Sequence, residues 1–156
     1  MEETVNKSNN GSEIMHEFVY MDMIMEAQKV SSTYSPLALA YIGDSVFDLL
    51  IKNRFVFASN MQPEKYHRRV TQIVSANFQS DFIRNYMDKL TEEEMAVYKR
   101  ARNSSPHTKA KNASLTSYLM ATGLEAVIGY LYMSGQNQRI NEIINEVFEF
   151  YNSRQE

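Results

Sequence analysis

The chain has 156 residues, 44% hydrophobic and 22% charged, with a formal net charge of −3; this is the balance of one globular domain and excludes a disordered or strongly basic chain. Without cysteine, disulfides, thiolate zinc sites and cysteine nucleophiles are excluded. Glycine (5) and proline (3) are scarce and methionine (10) is plentiful, which favours helices over a sandwich or barrel.

The N-terminal MEETVNKSNNGSE carries acids where a signal peptide carries bases, and no apolar run reaches the roughly 18 residues of a spanning helix. A soluble, cytoplasmic protein is expected. Residues 1 to about 12 read as disordered. Ile14, Phe18, Met21 and Met25 then space an amphipathic helix over 13–30, and SSTYSP breaks it. Ser35 as cap and Pro36 in the first turn predict a helix from about 36 to 53, apolar almost all round near its start. Such a helix is buried centrally or at a subunit interface.

Pro63 opens the next helix, in which Tyr66, Val70, Ile73, Val74 and Phe78 hold one spacing and predict continuity to Met87. Thr91 and Glu94 make a capping box for a short helix ending near Arg102. Residues 103–114 are a loop by composition. A second apolar helix spans about 115–133 and is ended by Gly135. Ile140, Ile143, Ile144, Val147 and Tyr151 mark a C-terminal amphipathic helix. No segment has strand periodicity; the fold class is all-α.

The chemistry lies in two carboxylates. Asp44 ends the apolar run LALAYIG, and Glu125 is the single charged residue of YLMATGLEAVIGYLYM, 118–133. A carboxylate in apolar surroundings must be protonated, paired or bound to a metal. A structural salt bridge is the ordinary reading of one such acid; two of them, on the two most apolar helices, point to a shared site. If these helices cross near Gly43 and Gly123, Asp44 and Glu125 converge, and a hard divalent cation with water and phosphate oxygens suits them.

These stretches resemble the active-site helices of the ribonuclease III family, whose motifs are E-x-L-G-D-S/A and D-x-x-E-A-hydrophobic-I-G. Gly43 and Asp44 match the first, Glu125 to Gly129 the second, while Ala40 and Thr122 stand where the usual enzymes carry two further acids. LALAYIGD at 37–44, IVSA at 73–76 and KRARN at 99–103, with no segment after Glu156 for a double-stranded-RNA-binding domain, resemble the Mini-ribonuclease III branch. The likeness runs from about Pro36 to Tyr151.

The resemblance implies a ribonuclease III endonuclease-domain fold over 36–156, behind a partly disordered N-terminal extension, 1–35. It implies a two-fold homodimer and Mg²⁺-dependent hydrolysis of double-stranded RNA to 5′-phosphate and 3′-hydroxyl ends. The branch's substrate is the precursor of 23S ribosomal RNA, with room for a ribosomal-protein helper. Asp44 and Glu125 would be the catalytic, metal-holding residues, with Mn²⁺ able to substitute. Two acids leave any second ion to arrive with the RNA phosphates.

Between Glu94 and Glu125 there is no acid, while Lys99, Arg100, Arg102, Lys109 and Lys111 fall there with His107. Basic residues at a helix end complement its dipole, but Lys109 and Lys111 lie in the loop beyond. The stretch therefore reads as a phosphate-binding surface, with Asn103 and Thr108 beside the cations. His67 and Arg68, in KYHRR at 65–69, form a smaller candidate cluster whose alternative is a solvated helix face. The leading reading is an endoribonuclease. A catalytically silent RNA-binding module of the same fold is the alternative, and retention of both acids speaks against it.

Overall fold

In a computed structural model of the chain, residues 25–104 and 114–155 are described. They form seven helices: α1 (Ala27–Thr33), α2 (Pro36–Ala58), α3 (Pro63–Val74), α4 (Ala76–Tyr86), α5 (Glu92–Asn103), α6 (Ser114–Met133) and α7 (Asn137–Ser153). A 3₁₀ turn, Met87–Lys89, joins α4 to α5. There is no strand among the described residues, as the all-α reading expects.

Helix α6 is the axis of the fold, packed against α1, α2, α4, α5 and α7. Its Leu124, Ala126, Val127 and Ile128 are all fully buried, although they point in different directions around the helix. That is what an all-round apolar sequence demands. Helix α2 is apolar on two sides for a different reason. Leu39, Val46, Phe47 and Ile51 face the core, whereas Leu37, Tyr41, Leu49, Val56 and Phe57 face outward, Tyr41 82% and Phe57 70% exposed.

Local chemistry sets the helix ends. The Ser35 side chain accepts the Ala38 N–H at 3.1 Å, with Pro36 in the first turn. Helix α2 runs to Ala58, five residues past the expected end at 53, because Phe55 continues its buried stripe. At the other boundary, helix α1 extends through Ser31 and Ser32, so the break is narrower than SSTYSP suggests; residues 13–24 of the expected first helix and residues 1–12 lie outside the described residues. Val30 is fully buried, and the Met25 N–H bonds the Met133 carbonyl at 3.0 Å, so residues 25–34 pack with the helices that follow. Gly135, at φ 68°, ends α6. The Gln136 N–H reaches the Leu131 carbonyl at 2.8 Å and the Gly135 N–H the Tyr132 carbonyl at 3.1 Å, the double closure that a left-handed residue permits.

One expected helix is two. The run from Pro63 breaks at Ser75, whose extended backbone (φ −66°, ψ 148°) ends α3 and starts α4, its hydroxyl accepting the Phe78 N–H at 3.3 Å. The apolar spacing continues across the break, which is why periodicity alone does not reveal it.

The capping box is present. The Thr91 N–H donates to the Glu94 carboxylate at 3.0 Å and the Glu94 N–H to the Thr91 hydroxyl at 3.2 Å. Glu94 is 2% exposed and also receives two Arg139 donors, at 2.8 and 2.9 Å; Arg139 in turn caps the Lys89 carbonyl at 2.9 Å. Removing one member of a buried pair strands the other charge. Arg139→Met is therefore expected to lower unfolding stability by about 3 kcal/mol in urea titrations, near the low end for buried pairs because Arg139 keeps 21% of its side-chain surface.

Candidate active site

The two acids are brought together by a helix crossing without side chains between the backbones. A Cβ placed on Gly43 would fall onto the Glu125 carbonyl oxygen and come within 2.8 Å of the Gly129 nitrogen. A Cβ on Gly129 would fall onto the Leu39 carbonyl. The crossing of α2 and α6 is thus made by Gly43 and Gly129. Gly123, expected at the crossing, lies instead against the Tyr98 ring of α5.

Asp44 follows the α2 contact and Glu125 is the α6 contact, so their side chains leave the crossing as neighbours. The expectation that both acids sit in apolar surroundings holds only for Glu125, which is half-buried; Asp44 is exposed, because it lies on the open side of α2 with Tyr41, while Leu39, Ala40, Val46 and Phe47 around it in sequence are buried on the other. Burial, then the Asp44 charge, pushes the Glu125 carboxyl up to about 7, against a hydrogen bond from Gln79 that lowers it.

A divalent cation suits this pair. It would favour the ionised form of a carboxyl that burial and a like charge hold protonated, and both donors are hard oxygens. Among the described residues no group of three or more His, Asp or Glu side chains offers an alternative metal site. Magnesium accepts one or two carboxylates when water and phosphate oxygens complete its shell. Ala40 and Thr122 are both buried beside the acids, and the Thr122 hydroxyl donates to the Tyr118 carbonyl of its own helix at 2.9 Å.

The basic residues divide. Tyr98 of α5 lies against Gly123, two positions before Glu125 on α6, and the basic residues follow Tyr98 along the rest of α5. Lys99 and Asn103 are exposed there. Arg100 is exposed but donates to the Ser31 carbonyl of α1 at 3.3 Å, and half-buried Arg102 lies 5.6 Å from the Tyr98 ring centre. Both therefore also hold the fold together. His107, Thr108, Lys109 and Lys111 lie outside the described residues. His67 and Arg68 stand exposed on α3, which packs on α2 and α4; with Pro63, Glu64, Thr71 and Gln72 they line a shallow surface depression.

Gln79 escapes a motif reading. Its signal was one polar side chain on the stripe that continues through Phe82, Ile83 and Tyr86, all buried.

The chain is similar to proteins of one known family. Residues 37–136 match the Ribonuclease III domain family. The chain is 44% identical over 119 residues to a Mini-ribonuclease 3 of Clostridium tetani, covering 75% of this chain and 78% of that one. A Mini-ribonuclease 3 of Enterococcus faecalis is 42% identical over 111 residues, covering 70% and 84%. A crystal structure of a Fusobacterium nucleatum protein aligns with TM-score 0.68 at 29% identity over 79% of this chain and 94% of the other. The chain thus belongs to the ribonuclease III family of endoribonucleases, in its Mini-ribonuclease 3 branch.

Proposed function

We propose that the protein cleaves double-stranded RNA in a Mg²⁺-dependent hydrolysis, acting in the cytoplasm on the precursor of 23S ribosomal RNA. The observation that carries this reading is the convergence of Asp44 and Glu125 at the glycine crossing, with Glu125 held near neutrality in its proton affinity. Asp44 and Glu125 would hold the cation. When bound, it supplies Lewis-acid activation of a water and charge neutralisation at the leaving 3′ oxygen. Around this pair, Lys99, Arg102 and Asn103 supply donors for backbone phosphates, so the duplex is read by A-form shape more than by base identity. The silent-module alternative gives no use to two neighbouring acids whose mutual repulsion helps to raise the proton affinity of Glu125.

Purified protein incubated with long duplex RNA is expected to give short duplex products with 5′-phosphate ends in Mg²⁺ and none in EDTA, while single-stranded RNA of the same sequence survives. Intact duplex in Mg²⁺ overturns the reading.

Assembly belongs to the same proposal. Leu37, Tyr41, Leu49, Val56 and Phe57, with Leu115 and Tyr118 from the start of α6, leave large apolar side chains in water. A two-fold copy covers such a face and places two sites on one duplex, one for each strand. Sedimentation is expected to give a dimer at micromolar concentration and a monomer for Tyr41→Asp. A monomeric wild type removes the two-strand cut and leaves nicking.

A further inference from the structure

Arg84 belongs to no motif and lies outside the acid-free stretch that holds most of the candidate cations. It stands in the last turn of α4, where a base complements the helix dipole. The dipole explains a charge at that end but not where this one goes. The guanidinium reaches across to α6, and its Nη2 lies 3.7 Å from the Met120 sulfur. Met120 is buried, and its sulfur also accepts the Ser80 hydroxyl at 3.5 Å, so the thioether that Arg84 rests on is fixed.

Little of the bonding capacity of Arg84 is used there. A thioether is a weak acceptor, and a guanidinium has five donors. Its ion-pair partner, Asp81, is 3.7 Å from Nη1, while the other Asp81 oxygen takes Arg154 at the shorter 3.1 Å. The Arg84 side chain keeps 60% of its surface, so its own pair with Asp81 contributes little. Arg84 is thus positioned by packing and left with donors to spare.

A second guanidinium comes to the same part of α6. Tyr98 lies against Gly123, three positions after Met120, and Arg102 lies 5.6 Å from the Tyr98 ring centre. Burial pushes the Tyr98 hydroxyl up, and the Arg102 charge, then the Arg84 charge, act against it. Like charges brought together from two helices repel, so the fold gains little from the second. A phosphate group, with oxygens for both forks, gives the pair a use.

We propose that Arg84 is a further phosphate-binding residue, which joins Arg102 in holding the RNA backbone across the N-terminal half of α6. This rests on the reading of the protein as a duplex-RNA nuclease. Met120 is five positions before Glu125 on α6, about 7.5 Å along the axis, a separation of a few phosphates on one strand. The contact is to the backbone, so it adds affinity for any duplex sequence.

In the test, full-length Arg84→Gln is compared with Arg84→Lys, which keeps the charge. A third variant, Lys89→Gln, removes the same charge from the exposed pair with Glu146. Binding to long duplex RNA is measured in EDTA over a range of salt, alongside steady-state cleavage in Mg²⁺ and thermal unfolding. Arg84→Gln is expected to lose about 10-fold in affinity. Its slope of log affinity against log salt flattens by roughly 0.7–0.9 unit for each Arg84 engaged. KM for the duplex rises by the same factor, kcat changes less, and Tm stays at the wild-type value. Arg84→Lys regains the slope, and Lys89→Gln matches wild type in slope and affinity. Wild-type affinity and slope in Arg84→Gln would refute the proposal and leave the RNA reading standing. An equal loss in Lys89→Gln reduces the effect to net charge and overturns the proposal too. A lowered Tm in both Arg84 variants makes the residue structural, with the same result. Failure of the wild type to bind duplex RNA removes the RNA reading itself, and the proposal with it.

Discussion

Asp44→Asn and Glu125→Gln are each expected to abolish Mg²⁺-dependent cleavage, a fall of roughly 10³-fold or more if the site loses the several kcal/mol that metal coordination contributes. RNA binding should persist in both, since phosphate contacts come from other side chains. The two variants part company in stability. Folded Glu125 titrates at about 7 against an ordinary 4.5, so the folded state holds this proton more tightly than the unfolded one. This group's effect on stability is therefore nil below about pH 4.5 and increasingly unfavourable as pH rises towards 7. Above 7 the penalty is complete, at about 3 kcal/mol. Urea unfolding in EDTA should find Glu125→Gln equal to wild type at pH 4 and more stable by up to that amount at pH 8. Equal stability at both values would show that Glu125 ionises without penalty. Near wild-type cleavage by either variant would remove both acids from the mechanism.

Alanine at Gly43 or Gly129 should do comparable damage by a different route. The obstacle at each is a backbone carbonyl, which has no rotamer to change, so α2 and α6 must separate. A loss of about 4 kcal/mol or more is expected, beyond ordinary overpacking and a large share of a domain's total stability. Any folded fraction should cleave slowly, because separation also pulls Asp44 from Glu125. Gly123→Ala is the control. It presses on the Tyr98 ring, a side chain that can shift, and should cost about 1–3 kcal/mol. If chemical denaturation ranks Gly123→Ala with the other two, the crossing is not the critical contact.

The pattern of these effects follows what the residues declare in sequence. The α6 core, the Thr91–Glu94 box and the turn at Gly135 were legible, because each is written in neighbours a few positions apart. Which glycine meets which backbone was not: Gly43, Gly123 and Gly129 look alike until the helices are superposed in space. The Ser75 break was hidden because Val74 and Phe78 keep the apolar stripe intact on either side, while the hydroxyl that ends α3 also suits a helix interior residue. Asp44 misled for a related reason. Its apolar neighbours Leu39, Ala40, Val46 and Phe47 face the core while Asp44 itself faces outward, so apolar sequence around a residue did not mean burial of the residue. The roles of Asp44 and Glu125 rest on their motifs and their meeting. Gln79 needed the fold, since its side-chain amide bonds the Val74 carbonyl across the helix break.

The order of the helices along the chain gives the central position of α6 a consequence for biosynthesis. Helices α1, α2, α4 and α5 all pack on a helix that follows them. During translation they emerge before the surface that covers their apolar faces exists, and the nascent chain cannot close its core until α6 has left the exit tunnel. On the roles proposed for Asp44 and Glu125, the same delay governs activity. Asp44 is made early and Glu125 late, so a nuclease emerging among the RNAs of the machine that makes it is harmless until it is nearly finished. A stalled or truncated product ending before α6 should be degraded as an unfolded chain, never accumulating as a partly active enzyme.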